Sequence, residues 1–333
     1  MNNFSKLLQS FLTDYIVSEC NYSLNTKVSY STTFYLLIEF LYKNYKIKSN
    51  EITFNNLNKG IIVEFLDYLE NERKNSVLTR NQRLASLKSF FKYVQYNEPS
   101  LFDLCTQILS IKNKKVPNKM ISYFTEEEIK IIINYLNKEN NLKYLALLCV
   151  LYETGARVNE LINIKIKDIN LSGNASITLY GKRNKIRIVP ISNELVKLLN
   201  KYFKNQYFDY GEGLLFYSKN HKQYSRFGIN FIIKSLVDKL KLEHSNYFKG
   251  KDHPHSFRHS KATHLYNNGT PLLYIKDFLG HSTITTTEIY ATPDSKKQRN
   301  LILKNAQEIK VKTNYSNNKK ETLDNWLKNN MKN

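Results

Sequence analysis

The chain has 333 residues, with 50 Lys and Arg against 29 Asp and Glu, a formal net charge of +21 and a pI near 9.6. That balance excludes an acidic, self-solvating chain and favours a polyanionic partner. Hydrophobic residues at 41% exclude wholesale disorder, and the length accommodates two domains with packed cores.

Residues 1–110 read as helical. Phe4, Leu7, Leu8, Phe11, Leu12, Tyr15 and Ile16 recur at the spacing of an amphipathic helix. Similar stripes run through Tyr35, Leu36, Ile38, Phe40 and Leu41, through Ile61, Ile62, Phe65, Leu66 and Leu69, and through Leu84, Leu87, Phe90, Phe91 and Val94. Four or five helices with no strand signal predict a compact helical bundle. Arg80, Arg83, Lys88 and Lys92 flank the last stripe and are candidate phosphate contacts; a solvated charged face is the bland alternative.

Residues 111–123 form a basic, Pro-containing linker in which Lys112, Lys114 and Lys115 are further candidate contacts. A second domain opens at 124. Thr125 with Glu128 three residues on is a capping box, and Phe124 with Ile129 can staple it. Leu142 to Tyr152 predicts a buried helix that Gly155 ends. Residues 175–180 and 186–190 flank Gly181-Lys182-Arg183-Asn184-Lys185, a hairpin with a basic tip.

The remainder predicts mostly helix. Thr270 is expected as N-cap, Pro271 at N1 and Gly280 at C′ of one helix, with Tyr266 and Tyr274 in the core. Residues 306–333 read as a flexible polar tail ending in an apolar stripe, Leu323, Trp326, Leu327 and Met331. The expected fold is mainly α with a small antiparallel β-sheet in the second domain.

Cys20, Cys105 and Cys149 form no CxxC pair and read as buried, reduced thiols. The chain's first residues show no basic segment ahead of an apolar stretch, and no run approaches eighteen uninterrupted apolar residues. A soluble, cytoplasmic protein with no membrane partner is expected.

The chemistry concentrates between Pro254 and Ala291, with His255, Arg258, His281 and Tyr290 in order and Arg157 about a hundred residues upstream. Arginine presents a rigid fork of donors that matches the non-bridging oxygens of a phosphate. Tyrosine can attack covalently once its target is electrostatically prepared. His255 and Arg258 fall at i, i+3, on one helix face. Together they point to phosphoryl transfer through a phosphotyrosine, without a metal or other cofactor. A site built from His253, His255 and His259 or His281 is the competing reading, but no Cys or carboxylate completes a ligand set of familiar spacing. For a lone Arg157 the bland reading is a surface ion pair; Glu160 at i+3 could hold its rotamer. His253, His259 and His264 read as packing or capping residues.

Five stretches carry a resemblance: Thr154-Gly155-Ala156-Arg157-Val158-Asn159-Glu160-Leu161, Gly181-Lys182-Arg183-Asn184-Lys185, His255-Ser256-Phe257-Arg258-His259, Leu279-Gly280-His281-Ser282 and Thr286-Thr287-Glu288-Ile289-Tyr290. In that order they resemble the catalytic domain of the tyrosine recombinase family, and the helical N-terminal segment resembles that family's core-binding domain. The resemblance implies a helical core-binding domain over 1–110 and a catalytic domain over 124–305. It implies Arg157 and Arg258 as the phosphate clamp, Glu160 in support, and Lys182 as general acid to the leaving 5′ oxygen. His281 would bind the scissile phosphate, His255 would take the proton from Tyr290 or share in binding that phosphate, and Tyr290 would be the nucleophile. Arg183 and Lys185 would contact the DNA backbone. The implied partner is double-stranded DNA with inverted-repeat half-sites, bound by a homotetramer whose C-terminal tail docks on a neighbouring protomer. A type IB topoisomerase and a non-enzymatic DNA-binding protein are the alternatives. Lys261, where a housekeeping resolvase would carry an aromatic residue, points towards a mobile element.

Overall fold

In the computed structural model, which describes residues 3–116, 121–181, 185–205, 213–218, 221–248, 250 and 252–291, the stripe beginning at Phe4 forms α1 (Asn3–Ser10) and continues as a π-helix, Phe11–Glu19. Four more helices follow in the first of two compact units, Met1–Lys119: α2 (Leu24–Tyr45), α3 (Lys59–Asn71), α4 (Val77–Asn97) and α5 (Phe102–Leu109). Ser23, Asn58 and Ser76 cap α2, α3 and α4 by accepting from Thr26 N, Ile61 N and Thr79 N.

The core of this unit is aromatic. Phe90 meets Phe4, Phe11 and Phe34 edge-on, with ring centroids 5.9, 5.3 and 5.0 Å apart. Each such burial is worth roughly 1.5–3 kcal/mol. Phe34, Leu37 and Leu41 set the buried side of α2, which turns Tyr35 outward to solvent.

Two candidate phosphate contacts turn inward instead. Arg80 is only 3% exposed, with Nη1 donating to Asn81 Oδ1 at 3.2 Å and Nε 3.7 Å from Glu70 Oε2 on α3. Arg83 Nη1 donates to Ser29 O at 2.9 Å and Thr33 Oγ1 at 3.2 Å, both on α2. Their guanidiniums tie α4 to its neighbours, so the reading of an outward basic side is corrected at these two positions. Lys92, Lys112, Lys114 and Lys115 are exposed, although Lys114 Nζ is held by Glu70 at 2.6 Å and Asp67 at 3.3 Å.

The second unit is Met120–Asn333. Thr125 and Glu128 make the capping box of α6 (Glu126–Lys138), with Thr125 N donating to Glu128 Oε2 at 2.7 Å and Glu128 N to Thr125 Oγ1 at 3.2 Å. Glu128 also accepts from Phe248 N at 2.6 Å. Next come α7 (Leu142–Thr154), α8 (Val158–Ile162) and an antiparallel sheet of order β1-β2-β3, with β1 (Ile169–Asn170), β2 (Ser176–Tyr180) and β3 (Ile186–Pro190). Ile177 pairs Val189 and Leu179 pairs Arg187. Then follow α9 (Asn193–Lys204), α10 (Arg226–Glu243), α11 (Pro254–Asn267), α12 (Leu272–Leu279), α13 (Thr285–Glu288) and a 3-10 turn, Ile289–Ala291.

The core of this unit joins Leu147, Leu148 and Leu151 of α7 with Ile233 and Val237 of α10 and Phe257 of α11. Phe124 stacks obliquely on Phe257 with centroids 4.7 Å apart. Buried Ser260 on α11 accepts from Phe124 N at 2.7 Å and donates to Ser256 O at 2.6 Å.

Three local expectations change. A third strand, β1, joins the hairpin; two residues are too few to show a period. Pro271 is itself the N-cap of α12, in extended backbone (φ −59°, ψ 142°), and the helix starts at Leu272. Tyr274 is 66% exposed, because Ile275 and Leu279 one turn apart fix the buried face of α12. Of the cysteines, Cys105 is buried while Cys20 and Cys149 are half-buried, and all three are free. Lys182, Arg183 and the tail stripe lie outside the described residues. Among the described residues no helix is long and apolar enough to cross a membrane.

Replacing Ser260 by Ala leaves the buried Phe124 N–H without its acceptor and should destabilise the second unit by about 1–3 kcal/mol. Urea unfolding followed by near-ultraviolet circular dichroism measures this; a loss below about 0.5 kcal/mol would contradict it.

Candidate active site

The site is assembled at helix ends. Gly155 caps α7 in left-handed backbone (φ +55°), and a Cβ there would meet Phe278 Cε1 at 2.9 Å. A side chain is therefore refused on both strain and space. The turn delivers Arg157 as the extended N-cap residue of α8 (φ −71°, ψ 152°). Glu160, at N3, reaches back to accept from Arg157 N at 2.7 Å and Arg157 Nη1 at 2.9 Å.

Glu160 also receives Arg187 in a fork, Nη1 to Oε1 at 2.9 Å and Nη2 to Oε2 at 2.7 Å. At 5% exposure, burial pushes the Glu160 carboxyl up, yet Arg187 and then Arg157 overcome this and hold it below its ordinary value. The hairpin begins beside it. Gly181 N donates to Lys185 O at 2.7 Å, and a Cβ on Gly181 would lie 3.4 Å from Glu160 Oε1.

Arg258, 3% exposed, bridges two helix ends. Its Nη1 donates to Gly155 O, beyond α7, at 2.6 Å, and its Nη2 to Leu279 O, the last residue of α12, at 2.7 Å. Carbonyls at helix C-termini have no intrahelical donor and carry partial negative charge, which suits a buried cation. Desolvation, then Arg157 and Arg187, push its pKa down to about 9, so it stays charged at neutral pH.

Gly280 (φ +65°) ends α12 in a Schellman arrangement, with Gly280 N donating to Asp277 O and His281 N to Lys276 O, both at 3.0 Å. Arg187 lies over it, with Cδ 3.3 Å from the place of a Gly280 Cβ. His281 follows; its Nδ1 is 2.9 Å from Oγ1 of buried Thr287. Burial and then Arg258, Arg157 and Arg187 push the His281 imidazole down to about 4.

Tyr290 sits in the last turn, 5% exposed, in a small apolar cluster with Ala262, Ile275 and Leu279. Its Oη is 2.9 Å from His259 Nδ1. Burial raises the phenol pKa, opposed by Arg258 and Arg157. His255 stands exposed on the first turn of α11, its ring centroid 6.2 Å from that of His259. Desolvation, then Arg258 and His253, lower its pKa.

Arg157, Glu160, Arg258, His281 and Tyr290 thus converge where α7, α11, α12 and the last turn meet, with His255 at the rim. Two neighbours were not singled out from the sequence. Arg187 was read only as a strand residue, although its inward charge on the same strand face as buried Val189 was a signal. The sequence alone gives His259 no role beyond packing or capping. Among the described residues no group of three or more His, Cys, Asp or Glu could hold a metal ion. The site is an anion cradle beside a phenol.

The model of the phage integrase family matches residues 122–299, and that of the N-terminal SAM-like domain of phage integrases matches residues 8–98. The chain belongs to the phage integrase family. It is a tyrosine-type site-specific recombinase, an enzyme that breaks and rejoins DNA strands.

Among its relatives is tyrosine recombinase XerA of Pyrococcus horikoshii, 30% identical over 244 residues covering 72% of this chain and 78% of that one. A putative integrase/recombinase of Sinorhizobium fredii, y4rC, is 27% identical over 292 residues, covering 86% and 87%. In fold the recombinase is similar to the XerH recombinase in a post-cleavage complex with its palindromic difH substrate (TM-score 0.68, 22% identity, 84% and 80% covered). It is also similar to the Tn1549 transposon integrase in complex with a circular intermediate DNA (TM-score 0.70, 17% identity, 90% and 99% covered).

The linkage between Glu160 and pH has a definite sign. A carboxyl held below its unfolded pKa contributes stability above that value, about 4.5, and the contribution is lost as pH falls. Glu160→Gln should therefore unfold at lower temperature than the native protein at pH 7, and the gap should narrow as pH drops from 5 to 3. A gap independent of pH would contradict the charge reading.

Proposed function

We propose that the recombinase cuts double-stranded DNA at inverted-repeat half-sites through a 3′-phosphotyrosyl intermediate formed on Tyr290. The observation that carries this is the meeting of a buried phenol with Arg157 and Arg258 at the ends of α7, α11 and α12. Tyr290 Oη attacks phosphorus in line and releases a 5′ hydroxyl. Arg157 and Arg258, with His255 and His281, stabilise charge on the non-bridging oxygens, the electrostatic contribution that usually dominates such reactions. Glu160 supports the arginines. Lys182, next in sequence after Gly181, protonates the leaving oxygen. Because the phosphodiester energy stays in the covalent bond, a 5′ hydroxyl of another strand reverses the step without ATP. The guanidiniums and imidazoles supply the charge stabilisation that a metal provides elsewhere, so the reaction runs without one.

In this reading residues 1–110 are the core-binding domain, 111–123 the basic linker, 124–305 the catalytic domain and 306–333 the tail. Lys88, Lys92, Lys112, Lys114, Lys115, Arg183 and Lys185 are the basic residues available to the DNA backbone. The enzyme acts in the cytoplasm as a homotetramer on DNA, with the tail stripe docked on a neighbouring protomer. It serves either a mobile element, to which Lys261 points, or chromosome-dimer resolution.

Covalent trapping on genomic DNA maps the cleavage site. On a nicked suicide duplex carrying that site, Tyr290→Phe should bind normally and form no adduct. Arg157→Ala and Arg258→Ala should each slow adduct formation by about 10²–10³ with modest loss of binding. An adduct at wild-type yield from Tyr290→Phe would overturn the assignment. Lys182→Ala should regain cleavage on a 5′-phosphorothiolate substrate, whose sulfur leaves without a proton; failure of that rescue would make Lys182 a backbone contact. Excess EDTA should leave the rate unchanged.

A further inference from the structure

His259 shares α11 with His255 and Arg258 but faces a different atom. Its Nδ1 lies 2.9 Å from Tyr290 Oη, with the two rings 5.6 Å apart at their centroids and tilted by 50°. In the tautomer that carries the ring hydrogen on Nε2, Nδ1 accepts from Oη–H. We propose that His259 is the general base that takes the proton from Tyr290 as its oxygen attacks phosphorus. This rests on the reading of Tyr290 as nucleophile and adds the residue that activates it.

The step balances without a co-reactant. The Oη–H bond breaks and its proton passes to Nδ1 while the Oη–P bond forms. The P–O5′ bond breaks with its electron pair on O5′, which is protonated by the general acid. In rejoining, the incoming 5′ hydroxyl attacks, the Oη–P bond breaks, and the His259 imidazolium returns its proton to Oη.

Geometry favours His259 over His255, and two further features fit it to the role. Among the described hydrogen bonds, it is His259 that is paired with the phenol oxygen. Tyr290 is buried, and burial raises its pKa despite Arg258 and Arg157, so the phenol does not ionise near neutral pH unaided. Desolvation, then His255, His253 and Arg258, push the His259 imidazole down to about 4, which keeps the ring neutral with one nitrogen able to accept. An anionic phosphodiester entering beside Arg258 offsets that charge and strengthens His259 as a base when substrate is present. His255, at the rim, is left to the phosphate.

Single-turnover adduct formation on the mapped suicide duplex tests this with the full-length protein. His259→Ala should be slowed by about 10²-fold or more, with both an oxygen and a 5′-sulfur leaving group, while binding changes by less than about twofold. His259→Asn keeps an acceptor near Nδ1 but cannot take the proton, and should be as slow; it carries the test should the Ala variant unfold. Replacing Tyr290 by a difluorotyrosine of lower phenol pKa should restore about tenfold or more in either variant and little in the native protein. Adduct formation within about threefold of wild type in both variants would overturn the proposal, as would a loss that the acidic tyrosine does not relieve, which would make His259 a positioning residue. An adduct persisting in Tyr290→Phe would instead overturn the nucleophile reading itself.

Discussion

The Glu160 carboxylate is the interaction on which the rest of the site depends. It is nearly buried, and it holds Arg187 by a two-pronged bond and Arg157 through both side chain and backbone. Burying like charges together is costly, and removing the carboxylate from such a cluster leaves uncompensated cations at a cost of about 3–5 kcal/mol. Yet one carboxylate does not neutralise Arg157, Arg187 and Arg258. The folded protein therefore carries an excess of fixed positive charge in a poorly hydrated place. That excess makes the place suited to an anion.

The second constraint is backbone. Gly155 and Gly280 end α7 and α12 in left-handed conformation, and Arg258 binds the carbonyls of Gly155 and Leu279. One side chain thereby ties the turn that presents Arg157 to the turn that presents His281. Arg187 closes the same circuit from β3, lying over Gly280 and bonded to Glu160. Strand, hairpin base and three helix ends are thus coupled through guanidiniums, which is how residues more than a hundred positions apart are brought to one site.

What was legible in the sequence was local. The Thr125–Glu128 capping box, the apolar α7 and its glycine stop, and the Arg157–Glu160 pair at i+3 are short-range patterns with one physical reading each. Positions decided by tertiary packing were not. Tyr274 lies in a helix apolar nearly all round, so only Ile275 and Leu279 settling inward reveals that it points out. Arg80 and Arg83 look like a basic flank until the packing of α2 and α3 against α4 turns them inward. β1 is too short to show a period. His259 differs from its neighbours through a contact made across thirty-one residues, which no spacing rule on α11 contains. Arg187 is the instructive miss, since alternation with Val189 in β3 marks an inward-facing charge, and a charge facing inward requires a partner.

The central claim is that the reacting oxygen belongs to Tyr290. Its most direct test is to trap the native recombinase on a nicked suicide duplex, digest the complex with nuclease and trypsin, and locate the nucleotide-bearing peptide by mass spectrometry. The account predicts the residual nucleotide on Tyr290, with no modification of exposed Tyr274 on the neighbouring helix. A nucleotide found on Tyr274, or on any residue other than Tyr290, would contradict it.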